Sequence, residues 1–130
     1  MGFTIFRAAM TILICCFLVM LFLLPSAILK AFSAQANEWL DAAEAALLRN
    51  DPDAAAPYCA ALSALMRERM PVLERFLNHA SIDSLDACFA VADLSIRARD
   101  VCAAVEALAE ARSVLSRIEG IELFSWNNLL

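Results

Sequence analysis

The feature that most constrains this chain is an uncharged apolar stretch close to its N-terminus. Residues 8–29, "AAMTILICCFLVMLFLLPSAIL", contain no acidic or basic side chain. A helix rises about 1.5 Å per residue, so these residues would span roughly 33 Å, which matches a hydrocarbon core about 30 Å thick. Because lipid offers no hydrogen-bond partners to a backbone, the stretch is predicted to be a transmembrane helix in contact with membrane lipid.

The two basic residues that flank this stretch predict its orientation. Arg7 and the N-terminal amine precede the apolar residues, and only Lys30 follows them. Because cytoplasmic flanks carry the excess of positive charge, the N-terminus is expected to be cytoplasmic. Residues 1–30 are therefore predicted to be a single-pass membrane anchor, and residues 31–130 an extracytoplasmic domain.

A cleaved signal peptide is the alternative interpretation of the N-terminal segment. Cleavage would follow the small residues of "AFS" (31–33) or "AQA" (34–36). The apolar stretch is longer than a usual signal-peptide core, and Lys30 interrupts the approach to the cleavage site, so the anchor is favoured. Either interpretation exports the remainder of the chain.

The exported part is predicted to be all-α and acidic. The whole chain has only two glycines and four prolines, which disfavours a turn-rich β fold. Residues 31–130 hold fifteen acidic residues against eight arginines, a net charge of −7, and no lysine. Nucleic acid is therefore excluded as a partner, because cation contacts to phosphates supply most of that affinity.

Capping residues and apolar spacing predict about four helices. The first is expected to continue from the membrane to about Arg49, Asp51 to cap the second and Asp100 to cap the fourth. Gly120 is expected to end the fourth helix, with residues 121–130 folding back across the others. The third helix has an apolar stripe at Ile82, Leu85, Phe89, Ala92 and Ile96.

A short internal repeat predicts how these helices are arranged. The segments "RNDPDAAA" (49–56) and "ARDVCAAV" (98–105) share Asp-x-x-Ala-Ala. Two related helical hairpins are therefore expected, forming either a small up-down helical bundle or a short tetratricopeptide-like array.

The only histidine of the chain lies in "FLNHASIDSLD" (76–86) and has three possible roles. His79, Asp83 and Asp86 are the weak candidates for a metal site, although one imidazole and two carboxylates leave a coordination sphere incomplete. A general base is disfavoured, since no nucleophile motif or Gly-rich turn accompanies His79. The structural interpretation is favoured: Ser81 or Asp83 caps the third helix, and His79 bonds a carboxylate or caps the second helix.

The segment "LNHASIDSLDACFAVADLSIRARDVCAAVEALAEARSVLSRIEGIELFSWNNLL" resembles bacterial membrane-anchored helical proteins of domain of unknown function family 4363. The resemblance covers about residues 37–130. Its most specific element is His-x-x-x-Asp-x-x-Asp/Glu, met by His79, Asp83 and Asp86. Ser81 stands where an acidic residue is expected, which removes a potential metal ligand, and Cys88 stands at a position that is usually small and polar. The resemblance implies a bacterial cell membrane and a similar helical plan, but no activity and no cofactor.

Three cysteines fall in the predicted exported domain, where disulfides form. Cys59 and Cys102 lie near the starts of the second and fourth helices, at similar heights in an up-down arrangement. If a disulfide forms, Cys59–Cys102 is the expected pair. Three reduced, buried thiols, including Cys88, are favoured over this pair.

Taken together, these patterns predict a non-enzymatic accessory or scaffold module that docks on another membrane or envelope protein. The alternative is a ligand- or metal-binding sensor or enzyme centred on His79, Asp83 and Asp86. A third hypothesis is a soluble exported binding protein released by signal cleavage. Met66 and Met70 are expected in the core, with a Met-rich groove for a partner helix as the alternative.

Overall fold

Four α-helices account for nearly all of the computed structural model. It describes the backbone of residues 1–129 and the side chains of these residues except 25, 76 and 122–129. The helices are α1 (Gly2–Leu48), α2 (Pro52–Phe76), α3 (His79–Arg97) and α4 (Val101–Leu129). Residues 1–129 include no β-strand. The prediction of an all-α chain with four helices is confirmed.

Helix α1 combines the apolar segment with the first helix of the remaining domain. It runs without a break for 47 residues, a length of about 70 Å. Residues 1–24 are exposed along all sides, and burial begins at Ser26. Within the described residues, α1 is the one helix long and apolar enough to cross a membrane, with a mean hydropathy of 2.9 over its most apolar window.

Two aspartates cap the starts of α2 and α4, as their sequence positions predict. The Asp51 carboxylate accepts a hydrogen bond from the Ala54 amide at 3.2 Å, and the Asp100 carboxylate accepts one from Ala103 at 3.1 Å. These bonds satisfy amides that have no partner within the helix. Pro52 follows Asp51 at the first helical position, where its missing amide hydrogen costs nothing.

The helices pack in chain order around one apolar core. Helix α1 contacts α2 and α4, and α3 contacts α2 and α4. All five residues of the predicted α3 stripe are buried. Met66 is fully buried and Met70 is half-buried against the core, which excludes Met66 from any exposed methionine groove. The largest fully buried side chains are Phe89, Leu40, Leu62, Met66, Leu73, Ile82, Leu85 and Leu115.

Helix α4 does not end at Gly120, contrary to the expectation from sequence. The helix continues through this residue to Leu129, and neither glycine has a positive φ. A glycine ends a helix when it adopts the left-handed conformation, whereas in helical conformation it costs only about 1 kcal/mol relative to alanine. The expected apolar packing of Leu123, Phe124 and Trp126 lies outside the described side chains.

The start of α3 also differs from its prediction. The helix begins at His79, and Asn78 caps it by accepting a hydrogen bond from the Ala80 amide at 2.9 Å. Ser81 and Asp83 therefore lie inside the first turns and do not cap. Asn78 has an extended backbone and an amide oxygen that accepts from the Ala80 amide, so it caps the helix and α3 begins earlier than the sequence predicted.

Candidate functional site

His79 lies at an exposed position on the first turn of α3. Its side chain is 72% exposed, and its Nδ1 lies 3.9 Å from the Glu74 Oε1 on α2. That distance is longer than a hydrogen bond, and the Glu74 side chain is itself 35% exposed. His79 therefore does not make the hydrogen bond between α2 and α3 that the sequence predicted. The polar contact at this junction is instead the cap that Asn78 provides to α3.

Asp83 and Asp86 follow His79 by one and two turns and lie on the same side of α3. Asp83 is exposed and Asp86 is half-buried. Among the described side chains, no group of three His, Cys, Asp or Glu is close enough to hold a metal ion. The metal hypothesis for these three residues stays a prediction. Side chains that follow one another along one side of a single helix do not converge on a point as the ligands of a metal centre do.

The cysteines of the helical domain differ in their surroundings. Cys59 is 1% exposed, Cys88 is half-buried and Cys102 is exposed, and the structure holds all three as free thiols. Burial raises the pKa of the Cys59 thiol to about 11, and the nearby Asp93 carboxylate adds to the increase. The Cys59–Cys102 disulfide stays a prediction.

A groove of about 400 Å³ lies between α3 and α4 and is named here the α3–α4 groove. Its floor consists of small and apolar side chains, and two carboxylates from α4 stand on one side. Val91, which lines it, is 49% exposed, and Leu94 beyond it is 63% exposed. The lining residues are Ser84, Ala87, Cys88, Val91, Ala103, Glu106, Ala107 and Glu110.

The charge of the α3–α4 groove is negative. Glu106 and Glu110 are exposed, one turn apart on the same side of α4. Within the described part of the chain, neither has a basic nitrogen within 4 Å. Burial raises the pKa of the Cys88 thiol, the Glu110 carboxylate raises it further, and Arg117 partly opposes them. The groove therefore offers an apolar floor with free carboxylates at its edge.

A second groove of about 470 Å³, named here the α1–α2 groove, begins where the exposed apolar segment ends. Its lining is mostly apolar, with a half-buried tryptophan and one arginine. The lining residues are Ala27, Ile28, Ala31, Phe32, Gln35, Trp39, Leu65 and Arg69. Both grooves fall within the roughly 300–1,000 Å³ typical of small-molecule sites.

Arg112 joins α4 to α1 on another side of the molecule. Its guanidinium donates to the Asp41 carboxylate at 2.6 Å and to the Glu44 carboxylate at 3.0 Å. The hydrogen bond with Asp41 is the main cause of the raised pKa of Arg112. Asn37 adds a hydrogen bond to Glu119 at 3.4 Å. These contacts hold α4 beside α1 along the part of α1 that follows the apolar segment.

In comparisons with known proteins, no family model, curated protein or solved structure matches this chain. The site must therefore be judged on its geometry. The two grooves were not predicted from the sequence, because each is made by residues of two helices. The i, i+4 spacing of Glu106 and Glu110 on an alanine-rich helix was the one local signal of the α3–α4 groove.

Proposed function

We propose that this chain is a single-pass membrane protein whose helical domain, residues 31–130, acts as a non-enzymatic docking module for another membrane or envelope protein. The observation that carries this proposal is the α3–α4 groove, with its apolar floor and its two free carboxylates. Membrane attachment would hold the module at a fixed distance from the bilayer and raise its local concentration near a membrane-bound partner.

The proposed architecture is an up-down bundle of two helical hairpins, α1–α2 and α3–α4. Helix contacts in chain order, closed by the contact between α1 and α4, support it. So do the short connections, which favour antiparallel neighbours. In such a bundle the α3–α4 groove lies on the hairpin that has no membrane segment, which leaves it accessible from the side.

The proposed occupant of the groove is an amphipathic helix of the partner with basic residues along one side. Small residues such as Ala87 and Ala103 allow a close approach of the two backbones. Lys or Arg side chains at i and i+4 of the partner would meet Glu106 and Glu110, whose spacing is the same. Apolar partner residues would cover Val91, since helix-in-groove recognition uses such anchors.

The proposed location is the bacterial cell membrane, with the N-terminus in the cytoplasm and the domain outside. The apolar window of α1 supports insertion, and Arg7 before that window supports the orientation. Membership of domain of unknown function family 4363 is part of the same proposal, and it depends on the residues from Leu77 to the C-terminus.

Site-specific photo-crosslinking in intact cells tests the docking proposal. A photoreactive residue at Ala87, inside the groove, is expected to capture one discrete membrane or envelope protein. The same residue at the exposed Ala60 of α2 serves as the control position. Reversal of both groove charges, Glu106→Lys with Glu110→Lys, should reduce the Ala87 crosslink at least fivefold because it removes the attraction for basic side chains.

A matched charge control separates the groove from the overall acidity of the domain. Glu38 and Glu68 are exposed acids outside the groove, and Glu38→Lys with Glu68→Lys makes the same change in net charge. That double variant should leave the crosslink within twofold of the wild type. Equal crosslinking at Ala60 and Ala87, or equal loss in both double variants, would show that the groove is not the docking surface.

A further inference from the structure

The α1–α2 groove is continuous with the exposed apolar side of the first helix. Leu24, Leu21 and Phe17 are 50%, 52% and 62% exposed. Ile28 and Ala31 follow Leu24 at helical spacing and line the groove. Because α1 is one unbroken helix, these residues form a single stripe, and Ile28 lies only about 6 Å along the axis from Leu24.

The far part of the groove adds a cation and an aromatic ring to this stripe. Arg69 of α2 lines the groove and is exposed. Among the described side chains, no carboxylate oxygen lies within 4 Å of its guanidinium. Trp39 is half-buried against the core, so part of its ring is available to the groove. Arg69 is the one basic residue among those that line the groove.

The depth of Arg69 matches the headgroup layer of a bilayer. If the hydrocarbon core ends at Leu29, Ala31 lies about 3 Å and Gln35 about 9 Å above it. The headgroup layer is roughly 5–8 Å thick on each side, from a total thickness of about 40–45 Å and a core of about 30 Å. Arg69 lines the groove together with Ala31 and Gln35, which lie on either side of the outer part of this layer.

We infer that the α1–α2 groove binds one anionic phospholipid from the adjoining leaflet. The acyl chain lies along Leu24 and Ile28, and the Arg69 guanidinium binds the phosphate. Trp39 lies about 15 Å above Leu29, beyond the headgroup layer, and lines the far end of the groove. Partner docking at the α3–α4 groove is not needed for this inference, which rests only on the proposed insertion of residues 8–29.

Native mass spectrometry of the full chain released from nanodiscs tests the inference. The nanodiscs contain equal amounts of phosphatidylglycerol and phosphatidylcholine. The wild type is expected to retain one phosphatidylglycerol molecule, and Arg69→Gln should reduce that occupancy at least fivefold. Arg67→Gln is the matched control, because Arg67 is exposed on the same helix at nearly the same height but does not line the groove. It should leave occupancy within twofold.

A second measurement reports on the acyl chain. In a Trp39→Phe, Trp126→Phe background, the substitution Ile28→Trp supplies a single indole in the groove at the level where the acyl chains begin. Phosphatidylglycerol brominated on its chains, titrated in mixed micelles, should quench the emission of this Ile28→Trp variant at a several-fold lower concentration than brominated phosphatidylcholine. Ala31→Phe, which fills the groove, should remove this difference while circular dichroism shows an unchanged helix content.

Alkaline carbonate extraction keeps this test separate from the proposed membrane insertion. If the chain stays in the membrane fraction but retains both lipids equally, the α1–α2 groove is not a site for anionic lipid. The same conclusion follows if Arg67→Gln and Arg69→Gln lose phosphatidylglycerol to the same extent. If carbonate releases the chain from the membrane, both the proposed insertion of residues 8–29 and the proposed lipid site are wrong. Crosslinking at Ala87 is read independently of both results.

Discussion

Asn50 and Arg99 occupy equivalent positions, 49 residues apart, at the ends of α1 and α3. Both have a left-handed backbone, with φ of 57° and 59°. Each donates its amide to the carbonyl three residues before it, at 2.9 Å and 3.0 Å. The backbone amide of the aspartate that follows each one donates to the carbonyl five residues before it, at 3.0 Å and 2.8 Å. The carboxylate of the same aspartate then caps the next helix. The two junctions are therefore the same Schellman turn joined to the same N-cap.

Arg99→Gly is expected to stabilise the protein by about 0.5–1 kcal/mol. An arginine in the left-handed conformation carries a steric cost of about 1–2 kcal/mol that glycine avoids, and the greater freedom of glycine in the unfolded chain offsets part of the gain. The ion pair from Arg99 to Asp53 at 3.3 Å is exposed on both sides and contributes little. Thermal unfolding followed by circular dichroism in detergent measures the effect.

Asn50→Gly provides the comparison for that measurement. Asparagine tolerates the left-handed conformation better than arginine does, so its replacement should have a smaller effect than Arg99→Gly. A lower melting temperature for Arg99→Gly, or a larger gain for Asn50→Gly, would contradict the assignment of strain to Arg99.

Gly120→Ala is expected to stabilise α4 by about 0.5–1 kcal/mol. Gly120 lies inside the helix with no positive φ, and a Cβ built on it meets nothing within 4 Å. Alanine therefore gains helix propensity without a steric cost. Chemical denaturation in detergent tests this, with the exposed Ala109→Gly of α4 as the reverse control. A destabilised Gly120→Ala would indicate that the helix ends near this residue, as the sequence predicted.

The sequence predicted those parts of the fold that depend on local signals. The caps at Asp51 and Asp100 and the buried stripe through Phe89 each need only one helix and its first turn, and all three are confirmed. The Gly120 prediction was wrong because glycine in sequence does not reveal its φ. The grooves beside Glu106 and Arg69 depend on which helices are neighbours, and no local pattern carries that information.

Asn78→Ala should destabilise the protein by about 1 kcal/mol, whereas His79→Ala should change stability by less than about 0.5 kcal/mol. The Asn78 side chain accepts the bond that caps α3, and loss of such a cap costs about 0.5–2 kcal/mol. His79 is 72% exposed and its contact with Glu74 is long. Parallel thermal unfolding of the two variants measures the difference. A larger loss for His79→Ala would restore the linking role that the sequence suggested.

Cys59 and Cys102 should differ greatly in their reaction with a thiol reagent such as Ellman's reagent at pH 8. Cys102 is exposed and should react at once. A thiol with a pKa of about 11 is about 0.1% ionised at that pH, and only the thiolate reacts, so Cys59 should react at least 100-fold more slowly. The slow phase of the reaction should be absent in Cys59→Ala, which assigns that phase to Cys59. Denatured, unreduced chain should titrate five thiols, and a count of three would instead establish a disulfide.

The raised pKa of Cys59 also predicts a dependence of stability on alkaline pH. The folded state favours the protonated thiol of Cys59. The contribution of this thiol to the free energy of unfolding is therefore fully present below the unfolded pKa of about 9. It is lost as the pH rises towards about 11, by about 3 kcal/mol at most. The difference in unfolding free energy between the wild type and Cys59→Ala should therefore decline over this interval. A constant difference from pH 8 to pH 11 would contradict the shifted pKa.

Cys102 also provides a native probe for the proposed orientation in the membrane. It is the one exposed cysteine outside the apolar segment, since Cys59 is buried and Cys88 is half-buried. A membrane-impermeant maleimide should label it in intact spheroplasts, and Cys102→Ser should abolish most of the labelling. Arg7→Glu removes the positive charge that favours a cytoplasmic N-terminus, leaving Lys30 to favour the opposite orientation, so labelling should fall several-fold. Labelling of the wild type only after the membrane is permeabilised would place the helical domain in the cytoplasm.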